Sequence, residues 1–311
     1  MKIVALAGGV GGAKLADGLA QLLPPENLTI VVNTGDDFEH LDLYISPDLD
    51  TVCYTLAGLA NPETGWGRRE ETFHLLENLQ KLGGPDWFRL GDSDFATHIE
   101  RTRRLRESQP LNQITRDFCR AWGVRHSILP MSDQPVRTMV DTTEDGELAF
   151  QEYFVHRKCE PKVKGFRFAG IETARPAPGV LEAINQADAV VICPSNPWVS
   201  IDPILAVSGL RSAIAAKFVV AVSPIIGIQT VKGPAAKMYS ELGIRPSALA
   251  VARHYGKLLS GFLLDKVDAY LVQNISIPTL ATNILMKNQD ERRRLAQDVL
   301  NLINTLRSTT P

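Results

Sequence analysis

The chain has 311 residues, 44% of them hydrophobic and 22% charged, with a formal net charge of −2. That length suffices for a large core, in one big domain or in a core carrying a substantial insertion. The near-neutral balance excludes a general electrostatic drive toward nucleic acid, so any anionic ligand must be caught locally.

The chain opens on the apolar run Ile3-Val4-Ala5-Leu6-Ala7, which reads as a buried strand and is too short for a secretory leader. Gly8-Gly9-Val10-Gly11-Gly12-Ala13-Lys14 follows, then a helix predicted over 13–23 and ended by Pro24-Pro25. A second apolar strand over 28–32 runs into Asn33-Thr34-Gly35-Asp36-Asp37. After Pro47, a helix is expected over 48–59 with Asp48 as its N-cap. From 61 to 123 the texture changes to a turn-rich loop and helical segments near 69–82, 93–107 and 114–122. Residues 125–170 read as β-rich, with 138–140 and 151–155 flanking the turn Glu144-Asp145-Gly146.

Alternation then returns. A helix is expected over 179–186 and a strand over 189–193 that ends in Pro194-Ser195-Asn196-Pro197. A helix over 204–215 leads to a strand over 218–222 ending in Ser223-Pro224. Later elements are a helix over 232–242, short strands over 248–252 and 269–272, and a long helix over 289–306. The apolar stretch 218–228 is broken by Pro224 and too short for a bilayer. This pattern predicts an α/β fold: a mostly parallel sheet with helices on both faces. Residues 1–60 and 171–311 form the nucleotide-binding core. Residues 61–170, mostly helical and then β-rich, form an insertion covering the ligand edge and supplying an acceptor site.

A strand turning through glycines into a helix brings backbone N–H groups and a helix N-terminus to an anion. Gly9, Gly11, Gly12 and Lys14 are therefore candidate phosphate contacts, against the plainer reading of a tight structural turn. The loop is not a P-loop, and Gly9, Gly11 and Gly12 break the Gly-x-Gly-x-x-Gly fingerprint. The second strand ends in Asn33 rather than an acid for a ribose, which disfavours ordinary nicotinamide or flavin binding.

Asp36 and Asp50 should meet at one sheet edge, where two carboxylates beside phosphates suit Mg²⁺. Asp48 is better read as a cap. In Trp87-Phe88-Arg89-Leu90-Gly91-Asp92-Ser93-Asp94, with His98 one turn beyond, Arg89 is a candidate partner for an anionic or carbonyl-rich ligand. Asp92 or Ser93 can instead cap the next helix, and Trp87 and Phe88 either stack on a flat ring or pack. Ser195 and Asn196 are candidates for a base or phosphate, or for an Asx turn before proline. The basic runs 101–106 and 292–294 read as solvated helix faces. The four cysteines form no metal or redox motif, which fits reduced thiols in a cytoplasmic protein.

Together, 6–14, 33–37 and Ser46-Pro47-Asp48-Leu49-Asp50-Thr51 closely resemble the 2-phospho-L-lactate transferase family of coenzyme F-420 biosynthesis. Gly65-Trp66-Gly67, Glu71-Thr72, the 87–98 segment, Pro194-Ser195-Asn196-Pro197, Ser223-Pro224-Ile225 and Lys232-Gly233-Pro234 continue the resemblance in order. It covers most of the chain, and its specificity lies in the set rather than in any one motif. The resemblance implies a Rossmann-like core, a homodimer and Mg²⁺ dependence. It implies transfer of a phospho-three-carbon-acid unit, phospholactyl or phosphoenolpyruvyl, from a guanosine diphosphate ester to the ribityl hydroxyl of the 5-deazaflavin Fo, releasing GMP.

Carried over by position, Asp36 and Asp50 match the catalytic and metal-site acids. Asp50 and Arg89, with Asp92 and His98 of the same segment, fall on the acceptor side. Gly9, Gly11, Gly12, Lys14, Ser195 and Asn196 fall on the donor side. The donor's acid stays open among lactate, enolpyruvate and glycerate. The alternative is a non-catalytic nucleotide-sugar sensor of the gluconeogenesis-factor type, which shares the glycine loop and a paired-aspartate strand end. That family surrounds the pair with glycines and serines, whereas Phe38-Glu39-His40 follows here.

Overall fold

The computed structural model describes residues 1–309. Among them, seven strands form the central sheet: β1 (Ile3–Ala7), β2 (Leu28–Val32), β3 (Ser127–Pro130), β4 (Ala189–Ile192), β5 (Phe218–Val222), β6 (Gly261–Asp265) and β7 (Thr279–Thr282). Their spatial order is β3-β2-β1-β4-β5-β6-β7, and each neighbouring pair is parallel. This is the strand order of dinucleotide-binding sheets extended by one strand. It reverses direction between β1 and β4, where such sheets open a ligand crevice at their carboxyl ends.

Alternation along each strand divides the core in two. Val4 and Leu6 of β1 pack on one face with Val190, Ile192 and Phe262. Ile3, Ala5 and Ala7 pack on the other with Leu15 and Leu19 of helix α1 (Gly9–Ala20) and Leu49 of helix α2 (Pro47–Leu56). The C-terminal helix Gln289–Thr309 closes that second face. Its backbone approaches α1 so closely that a Cβ on Gly18 would sit 2.2 Å from the Arg292 carbonyl oxygen. Both faces are covered, which is why the strands read as continuous apolar runs.

Between α2 and β3 lie three helices, α3 (His74–Lys81), α4 (Asp92–Arg106) and α5 (Leu111–Ala121). A three-stranded antiparallel sheet, Arg137–Thr142 with Glu147–Ala149 and Val163–Ala169, follows β3. Several sequence expectations need correction. The region 61–170 is not one insertion, because β3 within it pairs with β2 in the main sheet. Residues 151–155 are not the hairpin's second strand; Glu152–His156 is a helical turn, and Glu147–Ala149 pairs instead. The helix expected over 204–215 is two, Asp202–Ala206 and Leu210–Ala215, parted at Gly209 with φ +82°.

Residues 248–252 belong to the helix Ala248–Tyr255, not a strand. The Ser247 hydroxyl caps it by accepting from Ala250 N–H at 3.1 Å. Residues 269–272 fall in the helical run Lys266–Asn274, capped by Asp265. The late strands are β6 and β7. A short apolar run does not distinguish a strand from a buried helical segment by periodicity, and the caps decided these cases. Among the described residues no helix is long and apolar enough to cross a membrane.

Candidate active site

A cavity of about 830 Å³ opens at the carboxyl edge of the sheet, beneath the helical insertion. Its wall joins the glycine loop, the acids after β2 and at the start of α2, and aromatic residues including Tyr54, Trp66, Trp87 and Phe88.

Helix α1 begins at Gly9, earlier than the sequence suggests, so the glycines form its first turn. The reason is close approach. A Cβ on Gly11 would lie 2.3 Å from the Pro194 carbonyl oxygen, and one on Gly12 would lie 2.5 Å from Ser195 Oγ. Ser195 spans the switch between β1 and β4, accepting from Gly8 N–H at 3.0 Å and donating to the Gly8 carbonyl at 2.8 Å. Asn196 accepts from Trp198 N–H at 3.1 Å and caps the turn that follows, the Asx geometry expected before proline. Gly9, Gly11, Lys14, Ser195 and Asn196 line the cavity; Gly12 lies behind it. Lys14 Nζ donates to the Met286 carbonyl at 2.9 Å. Burial, then Arg292 and Lys232, hold its pKa below the usual lysine value.

The acids are placed differently from one another. Asp48 is not a side-chain cap of its own helix. Its carboxylate accepts from Gly9 N–H, from Asn33 Nδ2 at 3.0 Å and from Ser200, and so sits at the N-terminus of α1. Burial pushes its pKa up to about 6. Asp36 is 5% exposed and its Oδ1 has no partner. Burial, then the neighbouring Asp48, push its pKa well up. Asp37 lies just behind, bonded by the Ser46 hydroxyl at 2.9 Å, with a pKa raised by burial to about 7.

Asp50 pairs with Arg101, whose Nη1 lies 3.0 Å from Oδ2 and whose Nη2 binds Oδ1. Arg101 is 2% exposed, so the 101–106 run is not wholly a solvated face. On α4, Asp94, His98 and Arg101 fall at i, i+4 and i+7 and share one face. Asp94 and His98 line the cavity. Asp94 is raised to about 7, first by burial and then by Asp50. His98 is held well below its usual pKa by burial and then Arg101.

Arg89 also lines the cavity, its guanidinium 4.1 Å from the centre of the Phe73 ring. Asp92 is not brought to the cavity wall. It accepts from the Thr72 hydroxyl at 2.7 Å, His74 N–H at 3.2 Å and Leu75 N–H at 3.0 Å, and thereby caps α3. Sequence reasoning missed Arg101, and it quoted Asp94 and Lys232 within motifs without giving either a role. The i, i+4, i+7 spacing on α4 was the available signal for the first two. Lys232 lines the cavity and donates to the Thr64 carbonyl, a contact between loops that no local pattern announces.

A buried acid pair beside a glycine turn, facing aromatic residues across one cavity, suits transfer chemistry on a phosphate-bearing donor and a flat acceptor. Comparisons with known proteins identify the family. The sequence model of a family described as 2-phospho-L-lactate transferase CofD matches residues 3–306. The chain is 46% identical to a phosphoenolpyruvate transferase of Streptomyces griseus, covering 99% of this chain and all of that protein. It is 47% identical to one of Thermobifida fusca over 86% of this chain and 88% of that protein. It is 38% identical to a 2-phospho-L-lactate transferase of Methanosarcina acetivorans over 98% of this chain and all of that protein. Among solved structures, a UPF0052-family protein of Bacillus halodurans shares the fold, with a TM-score of 0.65 at 18% identity over 96% of this chain and 98% of that one.

Proposed function

Since the chain belongs to the 2-phospho-L-lactate transferase CofD family, it is a transferase of coenzyme F-420 biosynthesis acting on small molecules, and we propose the following substrates and residue roles. The donor is a guanosine diphosphate ester of a three-carbon acid, the acceptor is the ribityl hydroxyl of Fo, and GMP leaves. The more similar relatives are phosphoenolpyruvate transferases, which favours enolpyruvate over lactate or glycerate as the acid. The observation that carries this reading is the single cavity in which glycine loop, acids and aromatic wall are continuous. The sensor alternative is not favoured: relatives named as transferases match over nearly the full chain.

Transfer of this type needs positioning and charge neutralisation more than covalent chemistry. Gly8 and Gly9 N–H are engaged by Ser195 and Asp48, so the donor's diphosphate falls to Val10 and Gly11 N–H, which have no acceptor inside the helix, and to Lys14. Ser195 and Asn196 hold the loop against which the donor lies. Arg89 and the aromatic wall take the deazaflavin ring, with His98 beside Asp50 on the acceptor side.

The acids fit Mg²⁺. Asp36 presents a buried, unpartnered oxygen, and Asp48 adds a second negative charge beside it. Asp50 is held by Arg101 and by Ser46 N–H, and the charges that act on Asp36 are Asp48 and Asp37, so the expected meeting of Asp36 and Asp50 on one ion is not seen. Bound beside Asp36 and Asp48, Mg²⁺ would neutralise charge on the diphosphate oxygens. A homodimer is part of the same reading.

The test is incubation with Fo, Mg²⁺ and each guanylylated acid, followed by mass spectrometry. The enolpyruvyl product of Fo, with GMP released, is expected; faster turnover of the lactyl or glyceryl donor would overturn the choice of acid. No product from any donor would overturn the substrate assignment.

A further inference from the structure

The side chain of Arg101 reaches two residues of the cavity at once. Its Nη1 donates to Asp50 Oδ2 at 3.0 Å and lies 3.2 Å from His98 Nδ1. A guanidinium has no acceptor, so at that contact Nδ1 must accept. Asp50 Oδ2 is farther from the same nitrogen, at 3.7 Å, and already receives Arg101. A proton on Nδ1 would face the guanidinium N–H. The neutral imidazole therefore carries its proton on Nε2. His98 is 2% exposed and lines the cavity, and its Nε2 is not among the fully buried atoms, so that edge of the ring opens to the cavity. An N–H that opens to the cavity donates to whatever fills it, water in the free protein and an oxygen of the bound molecule in the complex.

We infer that His98 is an Nε2–H donor to an oxygen of the acceptor molecule, in the tautomer imposed by Arg101. The inference rests on the proposed reading of the cavity as an acceptor site. The ligand chemistry it selects is an uncharged oxygen, carbonyl or hydroxyl, next to the Asp50 carboxylate. Arg101 acts through His98 and Asp50 and is a positioning residue. Asp50 supplies an acceptor and His98 a donor along one wall, so an alcohol or amide that offers both is matched and a pure donor is rejected.

The experiment has two arms on the full chain. In the first, ¹⁵N-histidine NMR at pH 7.5 compares wild type with His98→Gln, so that the one missing imidazole among six is assigned. The expected spectrum of His98 is the neutral Nε2–H tautomer; an Nδ1–H tautomer or an imidazolium overturns the inference. In the second arm, Fo binding is followed by its own fluorescence. Gln places an amide nitrogen near the Nε2 position and should keep the affinity within about threefold. Asn places it near Nδ1 and should weaken binding about tenfold or more. Equal affinities for wild type, His98→Gln and His98→Asn overturn the donor role. Absence of Fo binding by the wild type refutes the acceptor-site reading instead, and the NMR arm still decides the tautomer.

Discussion

Asp36 and Asp50 are both buried acids on one cavity, yet their surroundings give opposite responses to the same neutralising substitution. Asp36 has no cation beside it and shares its space with Asp48. Asp36→Asn removes a like charge from a dry site and should raise the melting temperature of the metal-free protein by roughly 2 °C. Asp50 is the counter-ion of a buried arginine. Asp50→Asn leaves Arg101 uncompensated, a loss of about 3–5 kcal/mol that should lower the melting temperature by many degrees. On the proposed reading, in which Asp36 would hold the cation and Asp50 would face the acceptor, both variants should lose transfer by at least about tenfold. Thermal melts and product formation check this. A lower melting point for Asp36→Asn, or a wild-type one for Asp50→Asn, would refute the electrostatic placement. Full turnover in either would refute that acid's role. The sequence made these two acids visible because each sits where a strand ends or a helix starts. Arg101 stayed hidden because Arg103 and Arg106 beside it are solvated, as a basic run normally is.

The insertion is joined by crossed caps, which explains why helices with little core of their own stand in place. Glu71 accepts from Ser93 N–H at 2.8 Å and Asp94 N–H at 3.3 Å, at the start of α4, while Asp92 of α4 caps α3. Gly91 belongs to the same device, since a Cβ there would lie 1.7 Å from Glu71 Cγ. Glu71→Ala strips the first turn of α4 of its acceptor and should cost about 1 kcal/mol, while Glu71→Gln keeps the acceptor and should melt near wild type. Because α4 carries His98, the alanine variant should also bind Fo more weakly. Equal melting of wild type and Glu71→Ala would refute the cap. Elements with strong local signals were legible: β1, β2, β4 and β5 follow from apolar runs and flanking prolines or glycines, and the C-terminal helix from Leu295, Val299, Leu300, Ile303 and Leu306 at helical spacing. The cross-caps were not, because each pairs residues about twenty positions apart. The edge strand β3 was assigned to the insertion for a related reason. Its partner is β2, and nothing within 127–130 identifies that distant pairing.

At the scale of the molecule, the switch between β1 and β4 gathers several carboxylates into a dry site, and this has a consequence for pH. Burial raises Asp37 and Asp94 to about 7 and Asp48 to about 6, and pushes Asp36 up as well. An unfolded aspartate titrates near 3.9. A group whose folded pKa is raised stabilises the fold fully below its unfolded pKa, and that contribution is lost as pH rises through the folded pKa. The metal-free protein should therefore lose stability between about pH 4 and pH 7. Exposed acids with lowered pKa, such as Asp92, act in the opposite sense but are screened by solvent, and buried His98, held below its usual pKa, also opposes, as one group against four. On the proposed reading Mg²⁺ would bind the ionised site, so its stabilisation should be small at pH 5.5, where protons compete, and larger at pH 8. Melting temperatures at the two pH values, with and without Mg²⁺, form the complete experiment. The expected pattern is a lower melting point at pH 8 without metal, raised by Mg²⁺ toward the pH 5.5 value. A metal-free protein that melts higher at pH 8 would refute the raised pKa values, and Mg²⁺ without effect at pH 8 would refute the cation site. On that reading, the cost of holding these acids together in the free protein is what a cation, and a diphosphate accompanying it, would relieve on binding.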